Sequence, residues 1–231
     1  MTKKFTPNMR LSDLIAANHY LVLALPRVGI PLGFGDKSVT EVCRLHDVPV
    51  DFFLMICNAY TIDSYLPDAE ELERTDMRLL VPYLIAAHHY YLNNRIEHID
   101  NHLHHVADKI GGRVGEMLKK FFDDYRDEVT EHFRFEEQEA FPSLQALQQG
   151  QRTDGYAAVR IGKHFRQAHG SIEDKLSDLT QIAYKYLPPD TLPDEAIEMI
   201  FDVLQLSVDL KKHELIEEKI LLPYVKWLER N

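Results

Sequence analysis

His132-Phe133-Arg134-Phe135-Glu136-Glu137-Gln138-Glu139-Ala140-Phe141-Pro142 decides how this chain is read, because its spacing returns as His213-x3-Glu217-Glu218-x3-Leu222-Pro223. Residues four apart on an α-helix lie one turn apart on the same face, so each segment offers an imidazole and a carboxylate to one point. A further histidine, His88 or His169, stands 44 residues ahead of each segment. The order is therefore His, His-x3-Glu, His, His-x3-Glu. A single His-x3-Glu pair is most simply a solvated surface pair. Two pairs with matching downstream proline and matching upstream histidine point to a duplicated metal site.

The surrounding pattern predicts four long helices. The first runs over about residues 76–110 to Gly111-Gly112 and the second over about 114–149 to Gly150. The third spans about 154–187 and stops at Pro188-Pro189, and the fourth runs from near Pro193 to the C-terminus. Long helices with short connections favour an up-down-up-down four-helix bundle. Four such helices bring His88, His132, Glu136, His169, His213 and Glu217 together. Imidazole and carboxylate suit iron, manganese or zinc. The set is that of a dinuclear centre: two iron ions with two histidines each, bridged by both glutamates and by an oxo or hydroxo group.

At the first helix the apolar stripe Leu92, Ile96, Ile99, Leu103 permits either His88 or His89, whereas the 44-residue symmetry selects His88. His169 shares a face with Ile172, Leu176 and Leu179 and points to the core; His164 is less well placed and is expected to be solvated or to stand behind a ligand. Pro142 and Pro223, each six residues after its glutamate, should kink or end their helices.

Residues 1–62 read as a small helical N-terminal domain ahead of a bundle over residues 76–231. A helix over Leu11 to Leu25 opens at Ser12 and closes at Pro26, and Gly29 to Asp36 is rich in breakers. Ser38-x-x-Glu41 is a capping box for a short helix through His46. A third helix covers about Asp51 to Tyr60, and Ile62 to Thr75 reads as a linker.

The net charge of −11 argues against nucleic acid or an anionic membrane as partner. No apolar run approaches the roughly 18 residues that span a bilayer. The apolar stretch near the N-terminus is interrupted by Asn18 and His19 and lacks a cleavage signal. A cytoplasmic protein is the expectation, with Cys43 and Cys57 reduced and buried. His98, His102 and His105 line one helical face with Arg95, which is expected to be solvated rather than a second metal site. Tyr90, Tyr91, Tyr125 and Trp227 read as packing aromatics. No phosphate loop or hydrolytic triad is visible.

These motifs resemble the hemerythrin-like di-iron proteins, and the whole chain is similar to the repair-of-iron-centres family within them. The resemblance covers roughly residues 10–228. His132 to Pro142 and His213 to Pro223 look like that family's two His-x3-Glu segments, with His88 in Ala87-His88-His89-Tyr90 and His169 in Ala168-His169-Gly170 as its lone histidines. Gly29-Ile30, Gly35 and Val42-Cys43 resemble its leading domain. Where many members carry a Cys-Cys pair, this chain has Gly33-Phe34, so thiol chemistry at that pair does not carry over.

The resemblance implies a cytoplasmic, dimeric, non-haem di-iron protein. Its implied task is to restore iron-sulfur clusters damaged by nitric oxide or oxidants, through iron donation or nitric oxide handling. Damaged iron-sulfur proteins are then the clients, and O2 or nitric oxide the small ligands. Nitric oxide or peroxide chemistry at the di-iron centre is the enzymatic option. The alternative is a hemerythrin-like protein that binds or senses O2 or nitric oxide. A ferritin-like oxidase is disfavoured, since it uses Glu-x-x-His in the opposite order. A structural zinc bundle is disfavoured because zinc usually takes four ligands.

Overall fold

The computed structural model describes residues 4–151, 155–187 and 193–230. The expected stop at Pro188-Pro189 and the helix start near Asp154 lie outside the described residues. Among the described residues every named element is helical, and the protein is all-α.

The N-terminal helices are α1 Leu11–Ala17, α2 Leu21–Arg27, α3 Val39–Leu45, α4 Val50–Thr61 and α5 Ala69–Arg74. The single helix expected over Leu11 to Leu25 is thus two helices, and Asn18 is the reason. Its amide donates to the Tyr60 carbonyl at 3.0 Å and to Thr61 Oγ1 at 3.1 Å, while its Oδ1 accepts the Tyr20 backbone N–H at 3.1 Å. A side chain that engages backbone in this way competes with the helix ladder. The N-cap of α1 is Arg10 rather than Ser12, and Pro26 lies inside α2.

The capping box before α3 is formed: the Ser38 hydroxyl accepts the Glu41 N–H, and the Glu41 carboxylate accepts the Ser38 N–H at 2.8 Å. Every residue of α4 from Phe52 to Tyr60 is buried. A helix apolar on all sides is a core element. α5 occupies the stretch read as linker and is capped by Asp68, which accepts the Glu71 N–H at 2.8 Å.

The long helices follow. α6 Leu80–Tyr90 continues through a π-helical turn, Tyr91–Ile96, into α7 Glu97–Ile110. α8 Gly112–Phe135 passes through a π-turn at Glu136–Ala140 into α9 Phe141–Gln148. α10 is Ala157–Tyr186, and α11 Pro193–Ile216 passes through a third π-turn at Glu217–Leu221 into α12 Leu222–Leu228.

Two of these turns account for the prolines. In a continuous α-helix the ring of Pro142 would press on the carbonyl four residues back. Instead the Phe141 N–H bonds to the Glu136 carbonyl five residues back, and the Leu222 N–H bonds likewise to Glu217. The wider turn removes the conflict, so the helices neither end nor break there.

The chain divides into two compact units, one of residues up to Ala87 with Leu144–Ala158 and the residues from Lys212 on, the other of His88–Ser143 and Val159–Lys211. In the first unit α4 forms the core with Leu14, Leu25, Val39 and Val42. Buried Arg27 donates to the Tyr60 hydroxyl at 2.8 Å, and the Tyr83 hydroxyl donates to the same oxygen at 2.8 Å.

The second unit is a bundle whose ion pairs report its topology. Asp100 with Arg126 and Asp108 with Lys119 join α7 to α8, Glu128 with Lys175 joins α8 to α10, Glu173 with Lys211 joins α10 to α11, and Arg95 with Asp202 and Lys109 with Glu195 join the π-turn and α7 to α11. Where two pairs join the same helices, numbering rises on one and falls on the other, as antiparallel neighbours require. This is the up-down-up-down order. At the α7–α8 corner Gly111 and Gly112 take φ of +63° and +58°. Gly115 lets the two helices approach so closely that a Cβ there would lie 2.3 Å from the Ala107 carbonyl oxygen. Among the described residues no helix is long and apolar enough to cross a membrane.

Candidate metal centre

Both His-x3-Glu pairs lie at short distances, and His88 joins one of them. His132 Nε2 lies 3.2 Å from Glu136 Oε1, and His213 Nε2 lies 2.8 Å from Glu217 Oε1, each pair one turn apart. His88 Nε2 lies 3.0 Å from the other Glu136 oxygen, Oε2. Glu136 therefore has an imidazole against each carboxylate oxygen. His88, Glu136 and Glu217 are fully buried, and His132, His169 and His213 are nearly so.

The donor atoms form two groups of four buried residues: His88, Glu136, His213 and Glu217, and His132, Glu136, His169 and Glu217. Within each group the ligand atoms lie within 4.8 Å of one another. Glu136 and Glu217 are common to both. Two positions that share two carboxylates, with two imidazoles of their own each, would suit a pair of cations. A carboxylate in a low-dielectric interior is held at a penalty of several kcal/mol unless a nearby positive charge offsets it. Two divalent or trivalent cations would supply that charge, and the donor set fits a di-iron site.

His89, the neighbour weighed against His88, is exposed. A one-residue shift turns a side chain by about 100° around a helix, and at this point in the helix only His88 faces the group. Its ring is stacked on Phe133, with centroids 4.0 Å apart and planes 8° apart, and Phe141 lies 5.6 Å away. His169 stacks on Phe165 at 5.1 Å. These rings fix the imidazole planes and keep solvent from their faces.

In His88 and His132 the ring nitrogen turned away from Glu136 also has a partner. His88 Nδ1 lies 2.9 Å from Glu137 Oε1, and His132 Nδ1 lies 3.1 Å from His164 Nε2. A carboxylate accepts only, so His88 donates from Nδ1 to Glu137, and with a cation bound beside Glu136 the lone pair of Nε2 would be turned to that cation. Such outer partners set the tautomer and basicity of metal-binding histidines. Glu137 carries this role although its sequence offered only its place in a Glu-Glu doublet, repeated as Glu217-Glu218. His164, stacked on Phe135 at 3.6 Å, also lines a surface cavity of about 260 Å³ with Glu139, Ser143, Arg160 and Gln167. It thus connects a solvent-facing hollow to His132.

Two of the π-turns begin at the shared carboxylates, Glu136 and Glu217, and the third follows His88 closely. Such turns often mark functional sites, since one widened turn re-aims the side chains around it. The expected buried, reduced state of Cys43 and Cys57 is met: both are free thiols in the core. Tyr91 donates to the Asp209 carbonyl at 3.2 Å, and Trp227 stacks on Tyr224.

Compared with the curated proteins, the chain has no significant match. Residues 81–225 match the family model described as the hemerythrin HHE cation-binding domain. That stretch is more than half of the 231 residues and contains every member of the buried histidine and glutamate groups, so the chain belongs to the hemerythrin HHE cation-binding family.

Proposed function

We propose that this chain is a non-haem di-iron protein that repairs iron-sulfur clusters damaged by nitric oxide or oxidative stress. Its ligands are His88, His132, Glu136, His169, His213 and Glu217. The observation that carries the reading is the pair of buried four-residue groups joined through Glu136 and Glu217. Its finer assignment to cluster repair rests on the resemblance of both parts of the chain to the repair-of-iron-centres family.

Two iron ions held there would supply reversible one-electron chemistry toward nitric oxide or O2. The protein's own contributions are positional. Glu137 holds the Nδ1 proton of His88, His164 engages Nδ1 of His132, and Phe133, Phe141 and Phe165 shield the imidazoles from water. Glu136 meets one imidazole at each oxygen, so each of its oxygens would be available to a cation held beside that imidazole. The proposal extends to a cytoplasmic homodimer whose clients are damaged iron-sulfur proteins.

The test is anaerobic metal analysis and visible spectroscopy before and after O2 or nitric oxide, followed by recovery of a nitric-oxide-damaged [4Fe–4S] enzyme. Two irons per chain, rapid irreversible oxidation and recovered client activity are expected. A stable, reversible O2 complex with no recovery would replace repair by O2 carriage or sensing. Zinc, or no metal, would overturn both.

A further inference from the structure

We propose that His98, His102 and Asp202 form a second, solvent-reachable site for a borderline first-row divalent cation of the zinc, copper or nickel class, separate from the buried centre. His98 and His102 are one turn apart on α7, and Asp202 comes from α11, about a hundred residues further along the chain. Asp202 Oδ2 lies 3.2 Å from His98 Nε2 and 3.4 Å from His102 Nδ1. The three ligand atoms lie within 4.8 Å of one another.

Those separations match the chemistry. Four donors bonded tetrahedrally to zinc at about 2.0–2.1 Å stand about 3.4 Å apart. Two imidazoles and a carboxylate favour zinc, copper or nickel over magnesium or calcium, which prefer oxygen. Three protein ligands leave one position for water. Arg95 Nη2 sits 3.5 Å from Oδ1, the other carboxylate oxygen. It orients Asp202 and leaves Oδ2 to the imidazoles. The His98 side chain is 60% exposed, so an ion arrives without any opening of the bundle.

Neighbouring groups are otherwise engaged. His105 and Lys109, further along the same face, both meet Glu195, at 3.4 Å and 2.8 Å. The comparable trio Asp100, His104 and Asp123 is less open to a cation, because Arg126 lies 3.3 Å from Asp100 and 3.0 Å from Asp123. Of these two groups among the described residues, His98, His102 and Asp202 are the more open to a cation.

The test is a cobalt titration of the full-length protein, its metal content counted beforehand, followed by equilibrium dialysis and visible absorption. The wild type is compared with His98→Gln and His102→Gln, neither of which touches the buried centre. The wild type should take up one more Co2+ per chain than either variant at low cobalt, with a ligand-field band that both variants lack. Binding should be at least about tenfold weaker once one ligand is gone. Prior metal content and circular dichroism should be the same in all three. Equal cobalt uptake with the same spectrum in the wild type and His98→Gln, whose exposed side chain has no part in folding the core, would overturn the proposal.

Discussion

Glu137 Oε1 lies 2.9 Å from His88 Nδ1, on the edge of the ring opposite the Nε2 that faces Glu136. One imidazole is thus held between neighbouring carboxylates of the same helical segment, Glu136 inside and Glu137 outside. The outer contact fixes which nitrogen carries the proton. Replacing Glu137 by Ala should leave the fold intact and weaken metal retention about 10–100-fold, read by competition against a chelator. Unchanged retention would show that the outer carboxylate does not tune His88.

Glu136 and Glu217 each belong to both four-residue groups. Changing either to Ala should therefore disturb both cation positions and bring bound metal well below the wild-type content in metal analysis. Full occupancy in both variants would remove the bridging assignment.

His88→Ala and His89→Ala make a matched pair. The first removes a fully buried imidazole of the cluster, and the second an exposed side chain. Metal content should fall only in the first. Loss in the second alone would move the first-helix ligand by one residue.

Gly115→Ala tests the corner that sets the approach of α7 and α8. Alanine is the better helix former by about 0.5–1 kcal/mol, yet its Cβ would lie 2.3 Å from the Ala107 carbonyl oxygen, a backbone atom that cannot step aside. The overlap should win, with a net loss of about 1–2 kcal/mol seen as a lower thermal midpoint. A raised midpoint would mean that the helices part there without penalty.

The two thiols give a pH prediction. Burial pushes the Cys43 thiol up to about 12 from a usual 9.0, and pushes Cys57 well above the same value. Only the thiolate reacts with alkylating reagents. Labelling at pH 8 should be slow in the native protein and fast in urea. A group whose folded pKa is raised favours the fold in its neutral form, so this contribution is full below about pH 9 and is lost as pH rises toward 12. Urea midpoints should fall across that window; a flat profile would contradict it.

The helical faces and the buried pairs were legible in the sequence wherever the information was local. His132 with Glu136, His213 with Glu217, the Ser38–Glu41 capping box and the long helices all depend on residues within one or two turns of each other. Periodicity records such relations directly. Symmetry between the two repeats carried the reading one step further, to His88 and His169. The expectation failed at Asn18, where the competing partners lie on Tyr60 and Thr61, more than forty residues away in sequence.

The amino-acid sequence by itself therefore determined which faces of which helices carry imidazole and carboxylate, since α-helical geometry turns spacing into position. Tertiary structure alone decided which of those faces meet. It set Glu137 behind His88 and Asp202 beside His98 and His102, and of the two places the sequence left open for His164, solvent or behind a ligand, it took the one behind His132. The physical reason is that helical period is a property of one segment, whereas a partner across the bundle depends on the relative rotation and shift of two helices. Those are set by packing, by the close approach at Gly115, and by the widened turns at Glu136 and Glu217.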